Sequence, residues 1–109
     1  MNFEVIAVEK FQKETKKLYK KYKSIKTDLF TLIEQLETSS TSGIHLGDNL
    51  YKIRIKNSDT GGKRGGYRVI YYTKNTKQQI FLLSIYSKTQ QDNINLETLK
   101  PILTQIHKL

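Results

Sequence analysis

Cysteine is absent from the 109 residues. Its absence removes thiol nucleophiles, disulfides and thiolate-ligated zinc. Histidine occurs twice, as His45 and His107, too few for a histidine-rich metal or acid–base centre. No apolar run approaches the roughly 18–20 residues that a membrane span needs. Acidic residues break up the short apolar stretch of Met1 to Lys10, so it lacks signal-peptide organisation, and the expected location is the cytoplasm. Negative charge is scarce: 10 Asp+Glu stand against 19 Lys+Arg, a formal +9. A chain this basic is expected to meet polyanions. Apolar residues make up 37% and charged residues 27%, which is not the composition of a disordered tail. The length suits one hydrophobic core, hence a single domain over residues 1–109.

The positive charge is concentrated. Residues 50–74 carry Lys52, Arg54, Lys56, Lys63, Arg64, Arg68 and Lys74 against Asp59 alone. All three arginines lie there. Arginine makes fork-shaped, bidentate contacts with phosphate.

The apolar pattern predicts an α+β fold. Phe3 to Val8 reads as an opening strand. Phe11, Leu18, Tyr19 and Tyr22 recur at helical spacing over residues 10–22. Ser24 is a candidate N-cap for a second helix, with Ile25, Leu29, Leu32, Ile33 and Leu36 as its stripe. The short link between the two predicts an antiparallel helical hairpin. Thr38 to Gly43 reads as a loop. The period then changes to two. Residues 50–56 place Tyr51, Ile53 and Ile55 on one face and Lys52, Arg54 and Lys56 on the other. Strands follow at 67–74 and 79–88, the last with Phe81, Leu83 and Ile85 on one face and Ser84, Tyr86 and Lys88 on the other. A helix over 96–109, capped near Asn95, closes the chain, and Pro101 requires a kink or a late start. The expected architecture is an N-terminal strand and helical hairpin packed on an antiparallel meander, with a C-terminal helix and one wet, cationic sheet face.

That face is the candidate site. Lys52, Arg54 and Lys56 recur at about 6.6 Å, close to the spacing of successive phosphates along a nucleic-acid strand. Lys63 and Arg64 sit in a glycine-rich turn, and Arg68 follows. Tyr86, beside Lys88, either stacks a base, moves a proton or only covers the sheet. Tyr71 and Tyr72 read as packing, and Lys16, Lys17, Lys20 and Lys21 as a solvated helix face that adds long-range steering. His45 reads as an exposed loop residue, and neither histidine is given a catalytic role. The glycines match no Walker loop.

Three segments carry a family resemblance: Leu50-Tyr-Lys-Ile-Arg-Ile, Gly62-Lys-Arg-Gly-Gly-Tyr-Arg-Val-Ile-Tyr-Tyr and Phe81-Leu-Leu-Ser-Ile-Tyr-Ser-Lys. Together they resemble the RelE/ParE superfamily of bacterial toxins, and the Lys-Arg-Gly-Gly segment resembles its HigB- and RelE-like branch. The resemblance implies a toxin of a type II toxin–antitoxin pair that enters the ribosomal A site and cleaves mRNA. A cognate antitoxin would neutralise it, and no cofactor or metal would be needed. It implies that Lys52 and Arg54 surround the scissile phosphate and that Arg68 stabilises the transition-state charge. Lys56, Lys63 and Arg64 would bind the RNA backbone, and Lys88 would supply a late cation. The tail departs from the pattern. Residues 90–94 hold no tyrosine where RelE-like members carry a functional one, so proton transfer falls to Tyr86 or to a lysine. Two other readings share the sequence: a ParE-like gyrase inhibitor, and an RNA-binding module without catalysis.

Overall fold

The computed structural model describes residues 2–61, 65–91 and 93–108. Strand β1 (Glu4–Ala7) leads directly into helix α1 (Glu9–Tyr19), and after five intervening residues α2 (Ile25–Thr38) begins. Both helices form where their stripes were expected: Phe11 and Leu18 of α1 and Ile25, Leu29, Leu32 and Leu36 of α2 are buried. Helix α1 ends earlier than its stripe suggests. Tyr22 lies beyond it and is still buried, edge-on to Tyr67 at 5.9 Å.

Ser24 stands at the N-cap position of α2, but its side chain makes no cap bond there. The Ser24 N–H and hydroxyl both donate to the Asp59 carboxylate, at 2.9 and 3.1 Å. An acid from the β3–β4 loop therefore does the capping, and a carboxylate suits the positive end of a helix dipole.

Strands β2 (Ile44–Gly47), β3 (Leu50–Ile55), β4 (Tyr67–Lys74) and β5 (Gln79–Ser87) follow. Strand β2 was not foreseen from the alternation, being four residues long and exposed along most of its length. It exists because Asp48 and Asn49 adopt left-handed backbone, φ +49° and +64°, as a two-residue hairpin turn requires. His45 is therefore a strand residue, exposed as expected.

The sheet has the order β1-β5-β4-β3-β2. The meander is antiparallel, and β1 joins it parallel to β5. The α+β architecture is as the sequence implies, but the sheet is mixed and five-stranded.

One expectation about its faces is corrected. The face opposite α1 and α2 is not wholly wet. Leu50, Ile70, Tyr72, Phe81 and Leu83 form a second core there with Leu99 and Ile106 of the C-terminal segment. That segment starts as a 3-10 turn (Leu96–Leu99), which Asn95 caps by accepting the Glu97 N–H at 3.0 Å. It becomes α3 only at Lys100–His107, so Pro101 falls in a first turn where its missing N–H is harmless.

The alternation along β5 is corrected too. Ile70 pairs with Ser84 but Tyr71 pairs with Leu82, so Leu83 is an extra residue. The bulge shifts the phase of the strand. Ile80, Leu82 and Ile85 pack under the helical hairpin, whereas Phe81 and Leu83 pack under α3.

Candidate phosphate-binding face

Beyond the reach of α3, the same sheet face carries the cations. Leu50, Lys52 and Arg54 alternate along β3, with Lys56 just past its end. Leu50 is buried under α3, Lys52 is half-buried, and Arg54 and Lys56 are exposed. The face therefore grades from apolar to cationic along one strand.

The register sets the chemistry. Arg54 of β3 stands opposite Arg68 of β4, and Arg68 stands opposite Tyr86 of β5. Three side chains separated by 14 and 18 positions in sequence thus form one row across the sheet. At about 4.8 Å per strand, the row spans about 10 Å. Lys52 is one step along, opposite Ile70. Lys88 follows β5, half-buried, and its N–H donates to the Gly66 carbonyl at 3.0 Å. Lys63 and Arg64 lie outside the described residues.

Arg68 is 6% exposed, and its guanidinium donates to the Tyr67 carbonyl at 3.2 Å. Burial, and then the charge of Arg54 opposite, push its pKa below the usual guanidinium value. Arginine stays charged regardless. The row therefore holds an unfavourable cation pair, and an anion placed between the two would relieve it. Tyr86 is 4% exposed, too buried to offer a ring face to a base. Its hydroxyl is buried with no hydrogen-bond partner among the described residues. Burial raises its pKa and Arg68 partly opposes the rise, so the phenol is neutral near pH 7. The neutral phenol thus stands opposite one guanidinium, that of Arg68, with Arg54 one strand further along the row.

Two supports were invisible in the sequence pattern. Strand β1 covers β5 only from Gln79 to Leu82. Glu14 of α1 serves the uncovered part: its carboxylate accepts the Ser84 hydroxyl at 2.9 Å and the Ile85 N–H at 3.1 Å. In sequence Glu14 signalled only an i,i+4 pair with Lys10, and it makes that as well. The other support is Asp28 of α2, which accepts both the Ser58 N–H and its hydroxyl and so ties down the stem of the β3–β4 loop.

Strand β2 pairs with β3 only as far as Lys52, which leaves the outer side of Ile53–Ile55 facing a groove of about 610 Å3. Lys52, Arg54 and Lys56 line it together with Thr27, Thr31 and Gln35 of α2. Tyr71 and Tyr72 are packing residues as expected. The Tyr71 hydroxyl donates to the Ser40 carbonyl at 2.9 Å, and that of Tyr72 meets His107 Nε2 at 3.1 Å.

The mixed sheet with its helical hairpin and C-terminal helix is that of a class, the small RelE-type toxins, as the family model shows. The family model for the RelE toxin of the RelE/RelB toxin–antitoxin system matches residues 7–107. The chain belongs to that family and is a toxin of a toxin–antitoxin system. Among solved structures it is similar to an arginine-to-alanine double mutant of the Escherichia coli toxin RelE in the free state. That match has a TM-score of 0.61 at 21% identity and covers 84% of this chain and 90% of the other. It is also similar to the isolated E. coli RelE toxin, with a TM-score of 0.50 at 20% identity, over 97% of this chain and 99% of that one. These likenesses are ones of fold. They bear out the α+β expectation, while the Lys-Arg-Gly-Gly segment behind the HigB-like resemblance includes residues outside those described. Among the described residues no helix is long and apolar enough to cross a membrane.

Proposed function

We propose that the chain is a ribosome-dependent mRNA endoribonuclease that arrests translation until a cognate antitoxin covers it. The observation that carries this reading is the register row of Arg54, Arg68 and Tyr86 across three adjacent strands. The reaction is in-line attack of a ribose 2′-oxygen on the adjacent phosphorus, which breaks the P–O5′ bond and gives a 2′,3′-cyclic phosphate and a 5′-hydroxyl, the departing 5′-oxygen taking a proton from water. Negative charge grows on the non-bridging oxygens. Lys52 and Arg54 orient the phosphate, Arg68 stabilises the growing charge, and the neutral Tyr86 hydroxyl donates to an oxygen of the same group. Lys56, Lys63, Arg64 and Lys88 hold the flanking backbone. A fixed donor of the Arg68 kind is worth roughly 3–4 kcal/mol of transition-state stabilisation.

Proton removal from the 2′-hydroxyl falls to Lys52, because a Tyr86 phenol held neutral can donate a proton but not take one from a hydroxyl. Lys52→Arg keeps the charge but cannot deprotonate. Loss of cleavage in that variant assigns the proton to Lys52, and full cleavage removes Lys52 from that role. The antitoxin is read as an acidic, partly disordered segment, matched to a +9 toxin by charge.

The direct test expresses wild type and Arg68→Ala from a tight promoter and maps mRNA 5′ ends. Growth arrest with codon-phased cuts in translated frames, both lost in the variant, is expected. Arrest without cuts but with DNA-damage signalling would overturn the reading in favour of a gyrase inhibitor.

A further inference from the structure

Tyr86 reaches the cationic face only because β5 is irregular. Phe81 and Tyr86 are an odd number of residues apart, and in an unbroken strand an odd separation puts two side chains on opposite faces. Phe81 packs with Leu83 in the core under α3, so a regular strand would turn Tyr86 towards the helical hairpin. The extra residue at Leu83 reverses the phase. Beyond it Ile85 packs under the hairpin, opposite Val69, and Tyr86 meets Arg68. The row of Arg54, Arg68 and Tyr86 therefore depends on one bulge.

A bulge needs support, because the backbone groups it takes out of register must bond elsewhere. Strand β1 does not supply it. Its last partner on β5 is Leu82, whose carbonyl accepts the Val8 N–H at 3.1 Å. Beyond Leu82 no strand among the described residues covers the outer side of β5.

Glu14 closes that edge. A single oxygen of its carboxylate, Oε1, accepts both the Ser84 hydroxyl at 2.9 Å and the Ile85 N–H at 3.1 Å. The other oxygen, Oε2, accepts the Lys10 ammonium, which also donates to Ser84 Oγ at 3.4 Å. Ser84 is fully buried and Ile85 nearly so, so both groups depend on an acceptor within the protein. The bonds fall on the two residues that follow the extra one, and the Ile85 N–H is one residue from Tyr86.

The helix that carries Glu14 is itself fixed. Phe11 and Leu18 are buried in the hairpin core, three residues before Glu14 and four after it. That spacing puts all three on one side of α1. The carboxylate is thus held on a packed helix, which sets its position more closely than a loop would.

We propose that Glu14 is a positioning residue: its carboxylate pins the β5 bulge and thereby fixes the Tyr86 hydroxyl in the row with Arg68 and Arg54. This rests on the reading of the chain as a ribosome-dependent nuclease. Glu14 acts through the backbone of β5 and not on the RNA.

The test is a double-mutant cycle of Glu14→Ala and Tyr86→Phe, read as cleavage of mRNA bound to bacterial ribosomes over a range of toxin concentrations. Circular dichroism checks that each variant is folded under the assay conditions. At saturation Glu14→Ala is expected to cut at least about threefold more slowly, though no more slowly than Tyr86→Phe. Its half-saturating concentration should stay within about twofold of wild type, because the cations that hold the backbone remain. With Tyr86→Phe already present, removing Glu14 should slow cleavage by less than about twofold further. Glu14→Gln keeps an oxygen acceptor in place and is expected to cut within about twofold of wild type. Amide exchange at Ile85 and Tyr86 should quicken in Glu14→Ala and not in Glu14→Gln.

Losses that multiply in the double variant would show that Glu14 acts apart from Tyr86, and they overturn the proposal. Equal losses in Glu14→Gln and Glu14→Ala overturn it too, since charge and not bonding would then matter. If Glu14→Ala fails to fold, Ser84→Ala carries the cycle. It removes one of the two bonds, and its smaller loss should likewise vanish beside Tyr86→Phe. Cutting by wild type together with multiplying losses removes only the role of Glu14. If wild type cuts no ribosome-bound mRNA, the nuclease reading falls and the proposal with it.

Discussion

Arg54 and Arg68 stand directly opposite on neighbouring strands, each cation raising the cost of the other. Like charges directly opposite on neighbouring strands destabilise a sheet by about 0.2–1 kcal/mol. Arg54→Gln is therefore expected to raise stability by that much in urea unfolding while cleavage is lost. A fall in stability would show that the guanidinium holds the face together. Tyr86→Phe separates chemistry from packing in another way. Its hydroxyl has no partner among the described residues, so stability is expected to stay within about 0.5 kcal/mol, while cleavage falls at least tenfold. Both candidate cations and the tyrosine were legible from residue type and alternation. Their juxtaposition was not, because a strand pattern tells which face a residue takes and not which residue it meets on the next strand.

Among the elements, the β3–β4 loop and α2 hold each other. Asp59 supplies the cap that the Ser24 side chain does not, and Asp28 holds Ser58. Asp59→Ala is expected to cost about 1 kcal/mol, as lost caps do, with faster amide exchange at Ser24 and in residues 57–61. Unchanged exchange would mean that the contact contributes nothing. The C-terminal segment is a packing element. Leu99 is fully buried, and Leu99→Ala is expected to cost about 2–5 kcal/mol in denaturant unfolding. Long stripes such as that of α2 were plain in the sequence. Strand β2 and the β5 bulge were not, since a four-residue exposed strand and a one-residue insertion leave almost no periodic trace.

For the molecule as a whole, burial is the common cause of the three raised tyrosine pKa values. It raises the pKa values of Tyr67, Tyr71 and Tyr86, so folding favours their neutral forms. Their contribution is complete below about pH 10, the unfolded value, and is lost as pH rises through the folded values. Titration from pH 9 to 12 should therefore show two phases at 295 nm, the later one coinciding with loss of helical circular dichroism. Complete tyrosine ionisation with intact dichroism would contradict this burial.

What the sequence determined by itself was charge, element type and family. Composition, apolar period and a few dozen residues of motif are local properties, and local properties survive in a linear string. What only the tertiary structure decided was which side chains stand together. The parallel docking of β1, the covering of the apolar part of the second sheet face by α3 and the row of Arg54, Arg68 and Tyr86 all depend on strand order and register. Those are fixed by burying two apolar layers at once, a condition on the whole chain that no single segment of it carries.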